Sequence, residues 1–126
     1  MLKVLVVDDD PDICLLTRRL LTMLNCESVE ARSGFDAEAL MPTVQPNMIL
    51  LDIMLPLQDG YETCKRLRAQ GYTGPIIMIS ALQEQSEKKR TLDAGATAYL
   101  QKPITKQILA LHVEHVRSQQ KTHSSL

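Results

Sequence analysis

The chain has 126 residues, 44% hydrophobic and 23% charged, which is the length and balance of one globular domain with one core. A formal net charge of −1 excludes a global pull toward DNA or an anionic membrane, and three cysteines without regular spacing exclude a disulfide framework. The start, Met1-Leu2-Lys3-Val4-Leu5-Val6-Val7, turns acidic too soon for a signal peptide, and no apolar run reaches the ~18 residues that span a bilayer, so the cytosol is the expected compartment.

In chain order, Val4–Val7 opens as a strand. Asp10 then caps a helix whose first position is Pro11, where the missing N–H had no partner to lose. Ile13, Leu16, Leu20, Leu21 and Leu24 recur along it at helical spacing, which predicts its buried face. A weak strand over Ser28–Glu30 precedes a helix from about Gly34, with Ala37, Ala39, Leu40 and Met41, which Pro42 is expected to stop. Met48–Leu51 is the third strand, and the third helix runs from Asp59 or Tyr61 to Ala69, with Gly71 and Gly74 beyond it. Ile76–Ile79 is the fourth strand, followed by a helix over Glu84 to Ala94 that Gly95 ends. Ala98–Leu100 is the fifth strand. The fifth helix begins just after Pro103 and is expected to bury Ile104, Ile108, Leu111 and Val116. Met23, Met41, Met48 and Met78 are expected in the core, with Cys14 and Cys64 as small fillers.

Most of the short runs are apolar throughout rather than alternating, as in strands buried on both faces of a parallel sheet. Five strands alternating with five helices predict an α/β, doubly wound parallel sheet, whose ligand site lies at the carboxyl ends of the strands. The residues there are Asp8-Asp9-Asp10 after strand one, Asp52 after strand three, Ser80 after strand four and Lys102-Pro103 after strand five. Gathered carboxylates repel one another unless a cation compensates them. Mg²⁺ suits such a set, because it takes one or two carboxylates and keeps waters and phosphate oxygens. Lys102 adds a positive charge and Ser80 a hydroxyl, and a carboxylate can itself be the nucleophile in phosphoryl transfer.

Val4-Leu5-Val6-Val7-Asp8-Asp9-Asp10-Pro11, Leu50-Leu51-Asp52-Ile53-Met54-Leu55-Pro56-Leu57-Gln58-Asp59-Gly60, Ile79-Ser80-Ala81 and Tyr99-Leu100-Gln101-Lys102-Pro103 together resemble the response-regulator receiver domains of two-component signalling. The resemblance implies a flavodoxin-like domain over 1–117, followed by a flexible end or linker start over 118–126. It implies that Asp52 accepts a phosphoryl group from a histidine kinase or phosphotransfer protein. Asp9, Asp52 and the Met54 backbone carbonyl would ligate Mg²⁺ directly, with Mn²⁺ as a substitute, and Asp8 would act through water. Ser80, the Ala81 backbone and Lys102 would hold the phosphoryl oxygens, and Ser80 and Tyr99 would move, Tyr99 rotating inward. Gly60 would sit in a tight loop, and the bond before Pro103 would be cis. The fourth helix, fifth strand and fifth helix would form the surface read by an output domain or by a second copy in a homodimer. No direct contact with nucleic acid or membrane is implied, and the domain would not be an enzyme beyond assisting its own phosphorylation and dephosphorylation.

Duller readings hold for some residues. Asp10 and Asp59 are expected only to cap helices or fix turns. Lys88-Lys89-Arg90 and the pair His112 and His115 are expected on solvated helix faces. A haloacid-dehalogenase-type phosphatase would need a second Asp where Met54 stands, and a flavin-binding protein would need a glycine- and hydroxyl-rich loop where three Asp stand. Met54 and Leu82 stand where related domains often carry polar groups that orient water, so a long-lived aspartyl phosphate is expected.

Overall fold

The computed structural model describes residues 1–124, with side chains through Gln120. Strands β1 (Lys3–Val7), β2 (Glu27–Ala31), β3 (Met48–Asp52), β4 (Ile76–Ser80) and β5 (Ala98–Gln101) alternate with helices α1 (Pro11–Met23), α2 (Gly34–Val44), α3 (Gly60–Ala69), α4 (Glu84–Asp93) and α5 (Lys106–Ser124). All strand pairs are parallel, in the order β2-β1-β3-β4-β5, which is the doubly wound sheet that the alternation predicts.

Strand alternation divides the apolar residues between two cores. Leu5, Val7, Ile49, Leu51, Ile76 and Met78 join Ala37, Cys64 and Leu67 of α2 and α3. Val4, Val6, Met48, Leu50, Ile77 and Ile79 join Cys14 and Leu21 of α1 and Leu109, Val113 and Val116 of α5. The central strands are therefore covered on both faces, which explains why their sequences are unbroken apolar runs. β2, at the sheet edge, is only partly covered, and its weak signal follows from that. Arg18 of α1 ties it down, donating from Nε to Ser28 Oγ at 3.0 Å and from Nη1 to Glu30 Oε1 at 3.0 Å.

Several helix faces differ from the expectation. On α1 the buried stripe is Cys14, Thr17 and Leu21, while Leu16 and Met23 are exposed. A leucine-rich helix offers two adjacent stripes, and its docking to the sheet selects the one with the smaller residues. On α5 the buried set is Leu109, Val113 and Val116, whereas Ile108 and Leu111 face solvent. Ile104 precedes that helix, and Thr105 Oγ1 accepts from Ile108 N at 3.2 Å across the first turn. Met48 and Met78 are core, and Met41 is half-buried against it.

Pro42 does not stop α2 but lies inside it. A proline removes the bond to the carbonyl of the preceding turn; here that carbonyl, Glu38 O, accepts instead from Gln70 Nε2 at 3.2 Å. Residues 118–124 are helical rather than a flexible end, while positions 125–126 lie outside the described residues. Glutamine and lysine extend a helix readily, and Arg117 fastens this one, its Nη2 donating to the carbonyls of Leu24 and Asn25.

Gly60 begins α3 where the loop after β3 folds back on the strand. Its N–H donates to Ile53 O at 2.8 Å. A Cβ there would stand 2.5 Å from the Asp52 carbonyl oxygen and 2.6 Å from Ile53 Cα, backbone atoms with no freedom to yield. Gly60→Ala is expected to lower stability by about 1–3 kcal/mol in urea denaturation; an unchanged midpoint would mean that the loop can open without loss.

Candidate functional site

The strand register levels the acidic ends. Val7 pairs with Leu51, so Asp8 and Asp52 emerge side by side, and Asp52 pairs with Ile79, one residue before Ser80. β5 follows with Ser80 opposite Gln101, which leaves Lys102 as the next residue out. One carboxylate oxygen from each of Asp8, Asp9 and Asp52 lies within 4.8 Å of the others. Asp8 and Asp52 are buried and Asp9 is exposed.

Each buried acid is held by its own loop. Asp8 Oδ1 accepts from Asp10 N at 2.9 Å, and Asp52 Oδ1 accepts from Met54 N at 3.2 Å. The other oxygens face one ammonium: Lys102 Nζ lies 3.3 Å from Asp8 Oδ2 and 3.4 Å from Asp52 Oδ2. Burial, and then the neighbouring Asp8 carboxylate, push the Asp52 carboxyl above its ordinary range, although Lys102 and the Met54 N–H pull the other way. Burial works to lower the Lys102 ammonium, but Asp52 and Asp8 outweigh it and hold its pKa above the usual value. Three carboxylates facing one lysine leave negative charge uncompensated. Hard oxygen donors so arranged fit a divalent cation of the Mg²⁺ type.

Asp10 and Asp59 cap helices as expected: Asp10 Oδ1 accepts from Asp12 N at 2.9 Å, and Asp59 Oδ1 from Glu62 N at 2.9 Å. Behind Asp8, Cys14 Sγ donates to its carbonyl at 3.3 Å. Ser80 is fully buried and its Oγ accepts from Leu82 N at 3.1 Å, while Ala81 lies exposed in the turn between them. The hydroxyl of Tyr99 donates to the Leu82 carbonyl. Tyr99 is only 9% exposed, so the inward rotation expected of it has no outward starting position here. The Lys102–Pro103 peptide is cis.

Beside the carboxylates runs a groove of about 410 Å³ lined by Asp9, Met54, Asp59, Leu82, Glu87 and Arg90 among others. Glu87 and Arg90 were not legible as site residues, because their approach depends on how α4 is turned against α3. Arg90 stacks over the Tyr61 ring, 4.2 Å from its centroid, while Lys88, Lys89 and Arg90 all stay exposed, as expected of a solvated helix face. Gln58 is a second omission. It is buried, its Nε2 donating to Glu38 Oε2 at 3.0 Å and Thr63 Oγ1 at 3.1 Å, which ties the loop after Asp52 to α2 and α3. His112 is half-buried beside a cavity at the opposite end of the sheet, away from these residues.

Comparison with known proteins agrees with this arrangement. The family model described as response regulator receiver domain matches residues 4–114. The DNA-binding dual master transcriptional regulator RpaA of Synechocystis is 39% identical over 106 residues, 82% of this chain and 44% of that protein. Protein PilG of Pseudomonas aeruginosa is 36% identical over 110 residues, 86% of this chain and 82% of PilG. Among solved structures, the BeF3-activated N-terminal receiver domain of Klebsiella pneumoniae RstA superimposes with a TM-score of 0.84 at 32% identity, covering 91% of this chain and 98% of that one. The chain thus spans about half the length of RpaA and most of PilG. With its fold, its strand-end acids and these relatives in agreement, the chain belongs to the receiver domains of two-component response regulators, the phosphorylation-activated switches of that signalling system.

Proposed function

We propose that Asp52 is the phosphoacceptor and that Asp8, Asp9 and Asp52 hold Mg²⁺ beside it. The observation that carries this reading is the meeting of three carboxylates within 4.8 Å, with Lys102 shared between Asp8 and Asp52. Asp9, Asp52 and the Met54 carbonyl are the direct ligands in this assignment, and Asp8 acts through water. Bound, the ion neutralises charge on the transferring phosphoryl group.

An Asp52 oxygen attacks the phosphorus of a phosphohistidine on a histidine kinase or phosphotransfer protein. The phosphorus–nitrogen bond breaks and its electron pair leaves with the imidazole, while an acyl phosphate forms on Asp52. Asp52 needs no general base, since its ionised form is the nucleophile. Lys102, already aimed at Asp52, turns to the phosphoryl oxygens, joined by the Ser80 hydroxyl and the Ala81 N–H. Ser80 then gives up the Leu82 N–H. Leu82 also accepts from Tyr99, so the change passes to α4 and β5. The surface of α4, β5 and α5 is read in turn by an output domain or by a second copy of the chain, without nucleic acid touching this domain.

Asp52→Asn is expected to abolish labelling by acetyl phosphate in Mg²⁺, followed by intact mass; full labelling would move the acceptor elsewhere.

Stability should report the crowded charge. The folded carboxyl of Asp52 titrates above its unfolded value, so its contribution is fully present below that unfolded value and is lost as pH rises through the folded one. In metal-free protein the stability advantage of Asp52→Asn over wild type is therefore expected to grow across this interval. Mg²⁺ at pH 7 should raise the wild-type melting temperature by several degrees and that of Asp52→Asn by less. Equal Mg²⁺ responses would argue against Asp52 as a ligand.

Met54 and Leu82 are both exposed on the groove. Neither orients an attacking water, so Met54→Asn is expected to shorten the lifetime of the phosphorylated chain severalfold; an unchanged decay would remove Met54 from the control of hydrolysis.

A further inference from the structure

α4 docks with a polar inner face. Of its ten residues only Thr91 is buried, and one turn earlier Glu87 is mostly covered, its side chain 13% exposed, while Leu92 faces solvent. An amphipathic helix places apolar side chains on that face. Gln83 gives the helix no side-chain cap. Glu87 is engaged: the Tyr61 hydroxyl donates to its Oε1. Arg90 covers the Tyr61 ring at 4.2 Å and brings Nη1 to 3.9 Å from Glu87 Oε1. Tyr61 is itself buried and follows Gly60, the residue wedged against the Asp52 backbone. Tyr61, Glu87 and Arg90 line the same groove as Asp9, Met54 and Leu82.

We propose that Tyr61, Glu87 and Arg90 form a latch between α3 and α4 that opposes phosphorylation of Asp52, making Tyr61 and Glu87 positioning residues for that reaction. The proposal rests on the assignment of Asp52 as acceptor. A phosphoryl group adds roughly −1.5 to −2 charge beside a groove whose wall carries the Glu87 carboxylate. Drawing Ser80 toward that group also frees the Leu82 N–H just before α4. Both effects push against the first turns of the helix, which the Tyr61–Glu87 bond holds in place. Two opposed equilibria are coupled by the same free energy in either direction. Phosphorylation loosens the latch, and a loosened latch eases phosphorylation.

Tyr61→Phe removes the hydroxyl and keeps the ring under Arg90. Glu87→Gln keeps an acceptor and removes the charge. The test measures amide exchange over residues 84–93 in metal-free, unphosphorylated chain, and the initial rate of phosphorylation by acetyl phosphate in Mg²⁺. For Tyr61→Phe, exchange over α4 is expected to rise about three- to tenfold, the equivalent of one lost hydrogen bond. Exchange in β3 and β4 should be unchanged, and phosphorylation should be faster by a similar factor. Glu87→Gln should also phosphorylate faster, with α4 exchange near wild type. If Tyr61→Phe fails to fold, Glu87→Ala carries the same comparison. Wild-type exchange over α4 in Tyr61→Phe, or phosphorylation no faster than wild type in both variants, overturns the latch. A wild-type chain that takes up no phosphate overturns the Asp52 assignment, and the proposal with it.

Discussion

Two buried carboxylates share one ammonium because the sheet leaves them no alternative. The pairing of Val7 with Leu51 sets Asp8 against Asp52, and the pairing of β4 with β5 brings Lys102 over both. Neither acid can move away without breaking the strand that delivers it. Like charges in a low-dielectric setting raise the cost of ionisation, and the loops answer with donors: Asp10 N to Asp8 and Met54 N to Asp52. What remains is negative charge that Lys102 alone does not cancel. The rest of the fold can be understood as the frame that keeps this unfavourable gathering in place.

That frame is asymmetric. On one face α5 is anchored by Leu109, Val113 and Val116, and its later turns by Arg117 on the carbonyls of Leu24 and Asn25. On the other face α4 presents Glu87 and Thr91 to the domain and little apolar surface. Local stability follows buried apolar contact, so the two helices flanking β5 differ in how easily they shift. The element nearest the Ser80 turn is the weakly held one, which is where a charge arriving at Asp52 can be converted into a change of surface.

The sequence made the sheet and the acidic cluster legible for one reason. Parallel strands buried on both faces leave unbroken apolar runs, and the polar residue ending each run must then lie at the sheet's carboxyl edge. Hence Asp8, Asp9, Asp52, Ser80 and Lys102 could be placed from Val4–Val7, Met48–Leu51, Ile76–Ile79 and Ala98–Leu100. Helix phase was harder. Leu16 and Leu111 repeat at helical spacing as well as Leu21 and Leu109 do, and only packing against the sheet decides between such stripes. Pro42 was misread because the donor that answers Glu38 O sits on another helix, at Gln70. Glu87 and Gln58 were invisible for the same kind of reason, since their partners are set by the third dimension rather than by spacing.

Cys14 lies directly behind Asp8, its thiol on the Asp8 carbonyl. Burial, and then the nearby Glu30 and Asp8 carboxylates, push that thiol up to about 11. It is the thiolate that attacks oxidants and electrophiles, and at neutral pH almost none is present. Cys26 and Cys64 are buried and raised as well. A sulfur atom can therefore sit at the back wall of the acidic centre without making it answer to peroxide or thiol-modifying agents, and the chemistry that reaches this centre is kept to anions and cations arriving from its open side.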